Sequence, residues 1–194
     1  MPQVSKKEFE LLPLRVHDLL ADVPLHDVWA VDLPHTRSGV TLDEFLRATK
    51  AGSCKLSPSV RGLLGIRFFI GRILGWDQEP AAGTWESFAQ RMAADDRSKS
   101  LLPIGTPQGL FRVVYRFENE QLVEVVNRTV HGAALTALVE TQNAYRFYFG
   151  VYVAKVSRLT PIYMTLINPF RKLIVYPSLL RTVRADWDRV FGTT

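Results

Sequence analysis

In the second half of the chain, polar and apolar positions alternate with a period of two, as half-buried strands do. Phe111–Glu118 (FRVVYRFE) sets Phe111, Val113, Tyr115 and Phe117 against Arg112, Val114, Arg116 and Glu118. Asn119–Glu120 reads as a tight turn, so Gln121–Thr129 pairs back as a hairpin. Val130–Thr141 and Ala144–Val156 follow, separated by a turn at Gln142–Asn143. The second of these carries Tyr145, Phe147, Phe149, Val151 and Val153 on one face. Four consecutive strands with short turns predict an antiparallel meander. An earlier strand is predicted over Leu25–Leu33 (LHDVWAVDL), with Val28, Ala30 and Asp32 on one side.

Elsewhere the period is helical. Thr41 opens a helix, with Glu44 three residues on completing a capping box, and Gly52 ends it. Ser57–Pro58 starts a second helix, apolar over most of its circumference, that runs to Gly75. Residues 76–109 form an irregular crossover with a short helix near Trp85–Met92. A loop containing AADDRSKS and PIGTPQG then follows. Pro2, Pro13, Pro24 and Pro34 exclude a long helix at the start, and residues 1–24 read as an N-terminal extension. In the last segment Thr160–Pro161 and Asn168–Pro169 are helix starts. Phe170, Leu173, Leu180, Trp187 and Phe191, with Ile174, Tyr176 and Val183 beside them, recur at helical steps. A helix of roughly 25–30 residues spans about 40 Å, enough to cross a small sheet. Pro177 inside it demands a kink or a local hydrogen-bond repair.

The chain of 194 residues fits one domain, residues 1–194, of α+β class: an antiparallel sheet wrapped around or packed on a long C-terminal helix. With 47% hydrophobic and 22% charged residues, it is neither disordered nor a coiled coil. The net charge of +5 is unevenly placed. Seven basic and two acidic residues fall in 155–194, while the rest balances at seventeen of each. This charge reads as the solvated back of the closing helix, with Arg171 and Arg189 facing away from its apolar stripe. One cysteine, Cys54, excludes an internal disulfide and favours a reducing compartment. Charges at Lys6, Lys7, Glu8 and Glu10 argue against a signal peptide. The apolar stretches Gly62–Leu74 and Ala144–Val156 are too short and too often interrupted to span a membrane. The expected location is cytoplasmic.

Candidate chemistry is sparse. Gly105–Gly109 lacks the lysine and spacing of a phosphate loop, no Gly-x-Ser-x-Gly elbow is present, and Cys54 beside Lys55 has no motif around it. His17, His26 and His35 are nine apart, which suits surface histidines rather than a metal site. Glu124 with Arg128, and Glu140 with Arg146, read as ion pairs, and Asp95-Asp96-Arg97 as a solvated stretch. His131, followed by Gly132, Ala133 and Ala134, is either a hydrogen-bonded core histidine or a ligand contact. An aromatic stripe of Tyr115, Phe117, Tyr145, Phe147 and Phe149 is mainly core and also suits an apolar pocket under the last helix.

The element order resembles the helix-grip fold of the START and pollen-allergen-like (SRPBCC) superfamily. More closely, it resembles a bacterial domain-of-unknown-function family grouped with it, over roughly residues 25–187. His131 in VVNRTVHGAAL and the stretch YMTLINPFRKLIV, with Tyr163 seven residues before Phe170, carry the resemblance. Asn127-Arg128-Thr129 stands where relatives tend to place acidic residues, and Arg171 where a histidine is frequent. The resemblance implies a small hydrophobic ligand held in a cavity between sheet and C-terminal helix. Tyr115, Asn127, His131 and Tyr145 would be its polar handles, with Phe147 and Phe170 on the wall. The alternative is an enzyme of the cyclase, dehydratase or hydrolase kind working in the same cavity. Neither metal nor cofactor is expected. A third reading, an interaction module using Arg171, Lys172, Arg181, Arg184 and Arg189, lacks interleaved aromatics. Nucleic acid is therefore not an expected partner, and the oligomeric state is left open.

Overall fold

A computed structural model describes residues 3–49, 85–127, 130–155, 164–165 and 168–192. The predicted helix over 57–75, the start at Thr160–Pro161, and Arg128 and Thr129 lie outside the described residues. Among the described residues, six antiparallel strands form one open sheet. In chain order they are β1 (Leu25–Pro34), β2 (Pro107–Gln108), β3 (Phe111–Arg116), β4 (Glu120–Val126), β5 (His131–Glu140) and β6 (Ala144–Ala154). The order across the sheet is β1-β6-β5-β4-β3-β2. The predicted meander is therefore present, and the early strand β1 closes it on the β6 side. A correction concerns 94–108: the stretch expected to be loop contains a helix and the edge strand β2. That helix buries none of its residues, so the apolar pattern gave no sign of it.

Cross-strand partners share a face. Trp29 opposes Phe149 and Phe149 opposes Thr136; Val31, Phe147 and Leu138 form a second such row, and Leu33 opposes Tyr145. The C-terminal helix covers this face. Its main body, Tyr176–Phe191, buries Tyr176, Leu180, Val183 and Trp187. Trp187 packs against Phe45, Tyr145 and Phe191, and its indole N–H donates to Pro34 O at 3.0 Å. Before it, Arg171–Val175 is π-helical. Pro177 has no N–H for the carbonyl of Leu173, and the wider turn just ahead of it is the local repair.

The other face is also covered. Helices α1 (Lys6–Glu10) and α2 (Val16–Leu19) bring Phe9, Val16 and Leu20 into a core with Val28, Ala30, Leu122, Leu135 and Tyr148. The residues expected as an extension are thus part of the main core. Val28 and Ala30 face this core as expected, while Asp32 is exposed. Helix α3 (Leu42–Ala48) starts where Thr41 Oγ1 accepts from Glu44 N, 3.1 Å. The Glu44 carboxylate pairs with Arg37, so only half of the capping box forms, and the helix ends at Ala48.

Two bulges decide which side chains reach which face. Val113 opposes Val123, and Tyr115 opposes Leu122, so Val114 is an extra residue in β3. Strict alternation had placed Val113 and Tyr115 together. The bulge separates them: Val113 joins Val123 and Ala134, whereas Tyr115 enters the core beneath α1 and α2. In β1, Leu25 opposes Tyr152 and Asp27 opposes Val151, which makes His26 the extra residue and aligns Asp27 with Trp29.

Candidate functional site

The six residues singled out by sequence fall into separate places. Tyr115 and His131 lie under the N-terminal half of the chain, on the face away from the C-terminal helix. Tyr145 and Phe147 lie beneath that helix. Phe170 sits at the helix start and is 49% exposed. Asn127 is buried at the β4–β5 turn, where its Oδ1 accepts from Val130 N at 2.9 Å. Tyr145 Oη donates to Arg37 O at 2.8 Å and accepts from Val40 N at 3.0 Å, which holds the loop before α3. Tyr145 and Phe147 share one cluster and Tyr115 belongs to another, while His131 is tied to β4.

Tyr115 and His131 each serve a buried carboxylate of β4. Glu120 accepts from Tyr115 Oη and from the backbone amides of Arg15 (2.8 Å) and Val16 (2.9 Å), fixing α2 to the sheet. Burial pushes the Glu120 carboxyl up, with these hydrogen bonds opposing it, and drives the Tyr115 hydroxyl well above its ordinary value. Four residues further along the strand, Glu124 accepts from Ser87 Oγ, Phe88 N (3.0 Å) and His131 Nε2 (2.9 Å). Burial raises Glu124, but the hydrogen bonds from His131, Ser87 and Phe88 outweigh it and leave the carboxyl below its usual range. The imidazole stacks on Phe88 at 3.8 Å. Both carboxylates thus fasten outer segments to the sheet.

The pairing expected between Glu124 and Arg128 lies outside the described residues, whereas Glu140 and Arg146 pair elsewhere. Glu124 takes His131, Glu140 takes His35, and Arg146 takes Glu8 and Asp32. Asp95 and Asp96 pair with Lys99 and Arg15. Arg171, expected on the solvated side, turns inward with its side chain 14% exposed, because a carboxylate waits there. That carboxylate is Asp27, 1% exposed on the helix-covered face. Its oxygens lie 3.3 Å from Lys172 Nζ, 2.9 Å from His26 Nδ1 and 3.7 Å from Arg171 Nη2. Among the described residues no group of three or more His, Cys, Asp or Glu is arranged to hold a metal ion.

Around Asp27 lies an unusual concentration of unsatisfied polar atoms. Among the described residues, eight buried side-chain nitrogens and oxygens have no hydrogen-bond partner. Five of them are Trp29 Nε1, Thr136 Oγ1, Asn168 Oδ1, Arg171 Nη2 and Tyr176 Oη. Trp29, Phe149 and Thr136 form one row across β1, β6 and β5. Tyr176 packs over that row, 5.5 Å from Trp29 and 5.6 Å from Phe149, and the Arg171 guanidinium lies 5.3 Å above the Tyr176 ring. Burial pushes the Tyr176 hydroxyl up to about 12 against the nearby Arg171 guanidinium, which acts on the phenol oxygen, so the hydroxyl keeps its proton to donate at neutral pH. An unpaired buried polar atom costs about 1–3 kcal/mol, so a group of them on one row needs an explanation. Sequence reasoning passed over Trp29, Thr136, Asn168 and Tyr176. The available signal was Asp27, an acid on an otherwise apolar strand face.

Fold and site together define an α+β sheet-and-helix domain with a polar cluster between the π-helical turn and the sheet. The model of the protein family of unknown function DUF2867 matches residues 19–178, and the chain belongs to that family. No curated protein and no solved structure matches it.

Proposed function

We propose that this protein binds a small, largely apolar molecule between the sheet and the C-terminal helix, in a fold of the helix-grip kind. The observation that carries the reading is the unpartnered buried atoms of Trp29, Thr136, Arg171 and Tyr176, which share the row of Trp29, Phe149 and Thr136 and the helix start packed over it. Trp29, Phe149 and Tyr176 supply an aromatic wall beside them. Ligand sites pair such walls with a few convergent polar groups. These residues are the handles in this reading; Tyr115 Oη, Asn127 Oδ1, His131 Nε2 and Tyr145 Oη hydrogen-bond within the protein.

Native mass spectrometry of freshly purified protein tests it. A co-purifying small molecule is expected in the wild type, and it is expected to be lost from a folded Trp29→Phe, Tyr176→Phe double variant. Retention of the adduct by that variant would refute this location.

A second reading is an enzyme in the same place, favoured by the His26–Asp27 pair. Asp27, held by Lys172, orients the imidazole through Nδ1, the arrangement that prepares a general base. His26→Ala would then abolish turnover of a bound substrate while leaving its binding within about twofold.

A further inference from the structure

We infer that the ligand carries a single carboxylate, seated against Arg171, on an apolar body stacked on Trp29, Phe149 and Tyr176. The inference rests on the proposed binding site and names the chemistry of its occupant.

Charge is the first argument. Among the described residues Asp27 is the acid that Arg171 and Lys172 both approach, so cations outnumber acids there by one. Lys172, its side chain 38% exposed, reaches water, whereas the Arg171 side chain is 14% exposed. Buried charge is tolerated only when paired. Asp27 does not need Arg171 either: His26 and Lys172 already contact its two oxygens at 2.9 and 3.3 Å, whereas Arg171 Nη2 stands 3.7 Å away, beyond hydrogen-bond range. Among the described residues the other terminal nitrogen, Nη1, reaches the sulfur of Met164, at 3.8 Å. A weak thioether contact is poor company for an arginine. The planar fork of the side chain is thus left for a planar oxyanion, which it grips through two parallel hydrogen bonds.

The donor count is the second argument. Of the unpartnered atoms, Trp29 Nε1 and Arg171 Nη2 can only donate, and the hydroxyls of Thr136 and Tyr176 are free to donate; only Asn168 Oδ1 must accept. A donor-rich site wants an acceptor-rich group. A monoanion matches the one surplus charge, whereas a phosphate dianion would exceed it.

The test uses three matched probes: naphthalene-2-carboxylate, naphthalene-2-carboxamide and naphthalen-2-ylmethanol. Each is titrated by calorimetry into wild type and Arg171→Gln. The Trp29 indole N–H resonance, assigned with Trp29→Phe, is followed in parallel. The carboxylate is expected to bind wild type about tenfold or more tightly than the amide and to shift the Trp29 signal. In Arg171→Gln that preference is expected to collapse. Equal binding of carboxylate and amide, with the Trp29 signal still moving, would overturn the carboxylate and leave the binding site standing. No binding of any probe and no Trp29 shift would overturn both. A preference that survives in Arg171→Gln places the anion elsewhere and overturns the assignment. Should Arg171→Gln not fold, Arg171→Lys keeps the charge without the fork, and an undiminished preference there counts against the proposal.

Discussion

Replacing His131 by alanine separates a structural histidine from a ligand contact. The imidazole, 5% exposed, hydrogen-bonds the buried Glu124 carboxylate at 2.9 Å and stacks on Phe88 at 3.8 Å. A hydrogen bond to a charged group is worth about 1.5–3 kcal/mol, and an aromatic stack adds about 0.5–1.5 kcal/mol. Together they put the cost of His131→Ala at roughly 2–4 kcal/mol, a large share of an ordinary domain's stability. At about 2–4 °C per kcal/mol for a chain of this size, the Tm falls by roughly 4–16 °C. The pH dependence follows from Glu124, whose carboxyl sits below its ordinary value when folded. A lowered carboxyl stabilises above its unfolded pKa, and that stability is lost as pH falls through the folded value. Removing His131 takes away the first of the hydrogen bonds that lower it, so the acid limb moves to higher pH. Urea titrations of wild type, His131→Ala and His131→Gln at several pH values measure this. The glutamine keeps a donor without the ring and should fall between the other two. A loss below about 0.5 kcal/mol, within the range of an ordinary surface change, with an unmoved acid limb, would refute the clamp.

Three further outcomes follow. Trp187→Phe keeps the aromatic packing but strands Pro34 O, and should cost about 0.5–1.5 kcal/mol in urea unfolding; Trp187→Ala also empties the centre of the helix–sheet core, for about 3–5 kcal/mol. Gly39 has φ +75° with open space around it, so Gly39→Ala should cost about 1–2 kcal/mol through backbone strain alone. Glu120→Ala removes the acceptor of Tyr115 Oη and of the Arg15 and Val16 amides, so hydrogen exchange should speed up in α1 and α2 before it does in β5 and β6.

Much of the fold is legible because apolar residues recur at every second position in the strands, although both faces of the sheet are covered. Tyr145, Phe147 and Phe149 alternate as the final register requires. The bulge at Val114 is not legible, since Val113, Val114 and Tyr115 are all apolar and buried, and nothing in the composition marks the extra residue. Neither is the pairing of β1 with β6, which joins residues more than a hundred apart. Helix 94–99 escaped notice because it buries nothing. Among candidate residues, attention fell on His131 and Tyr115 as polar groups in apolar strands. Their polarity has a local reason: each satisfies an acid of β4. The proposed binding residues come from β1, β5, β6 and the start of the C-terminal helix, and only tertiary packing brings Asp27 and Trp29 beneath Arg171 and Tyr176.

A high-resolution crystal structure of the protein as purified, with no ligand added, tests the central claim most directly. The account predicts non-protein density against the Trp29, Phe149 and Tyr176 rings, within hydrogen-bond distance of Trp29 Nε1, Tyr176 Oη and Arg171 Nη2. Side chains that close over these atoms and hydrogen-bond one another, leaving neither density nor space between helix and sheet, would contradict it.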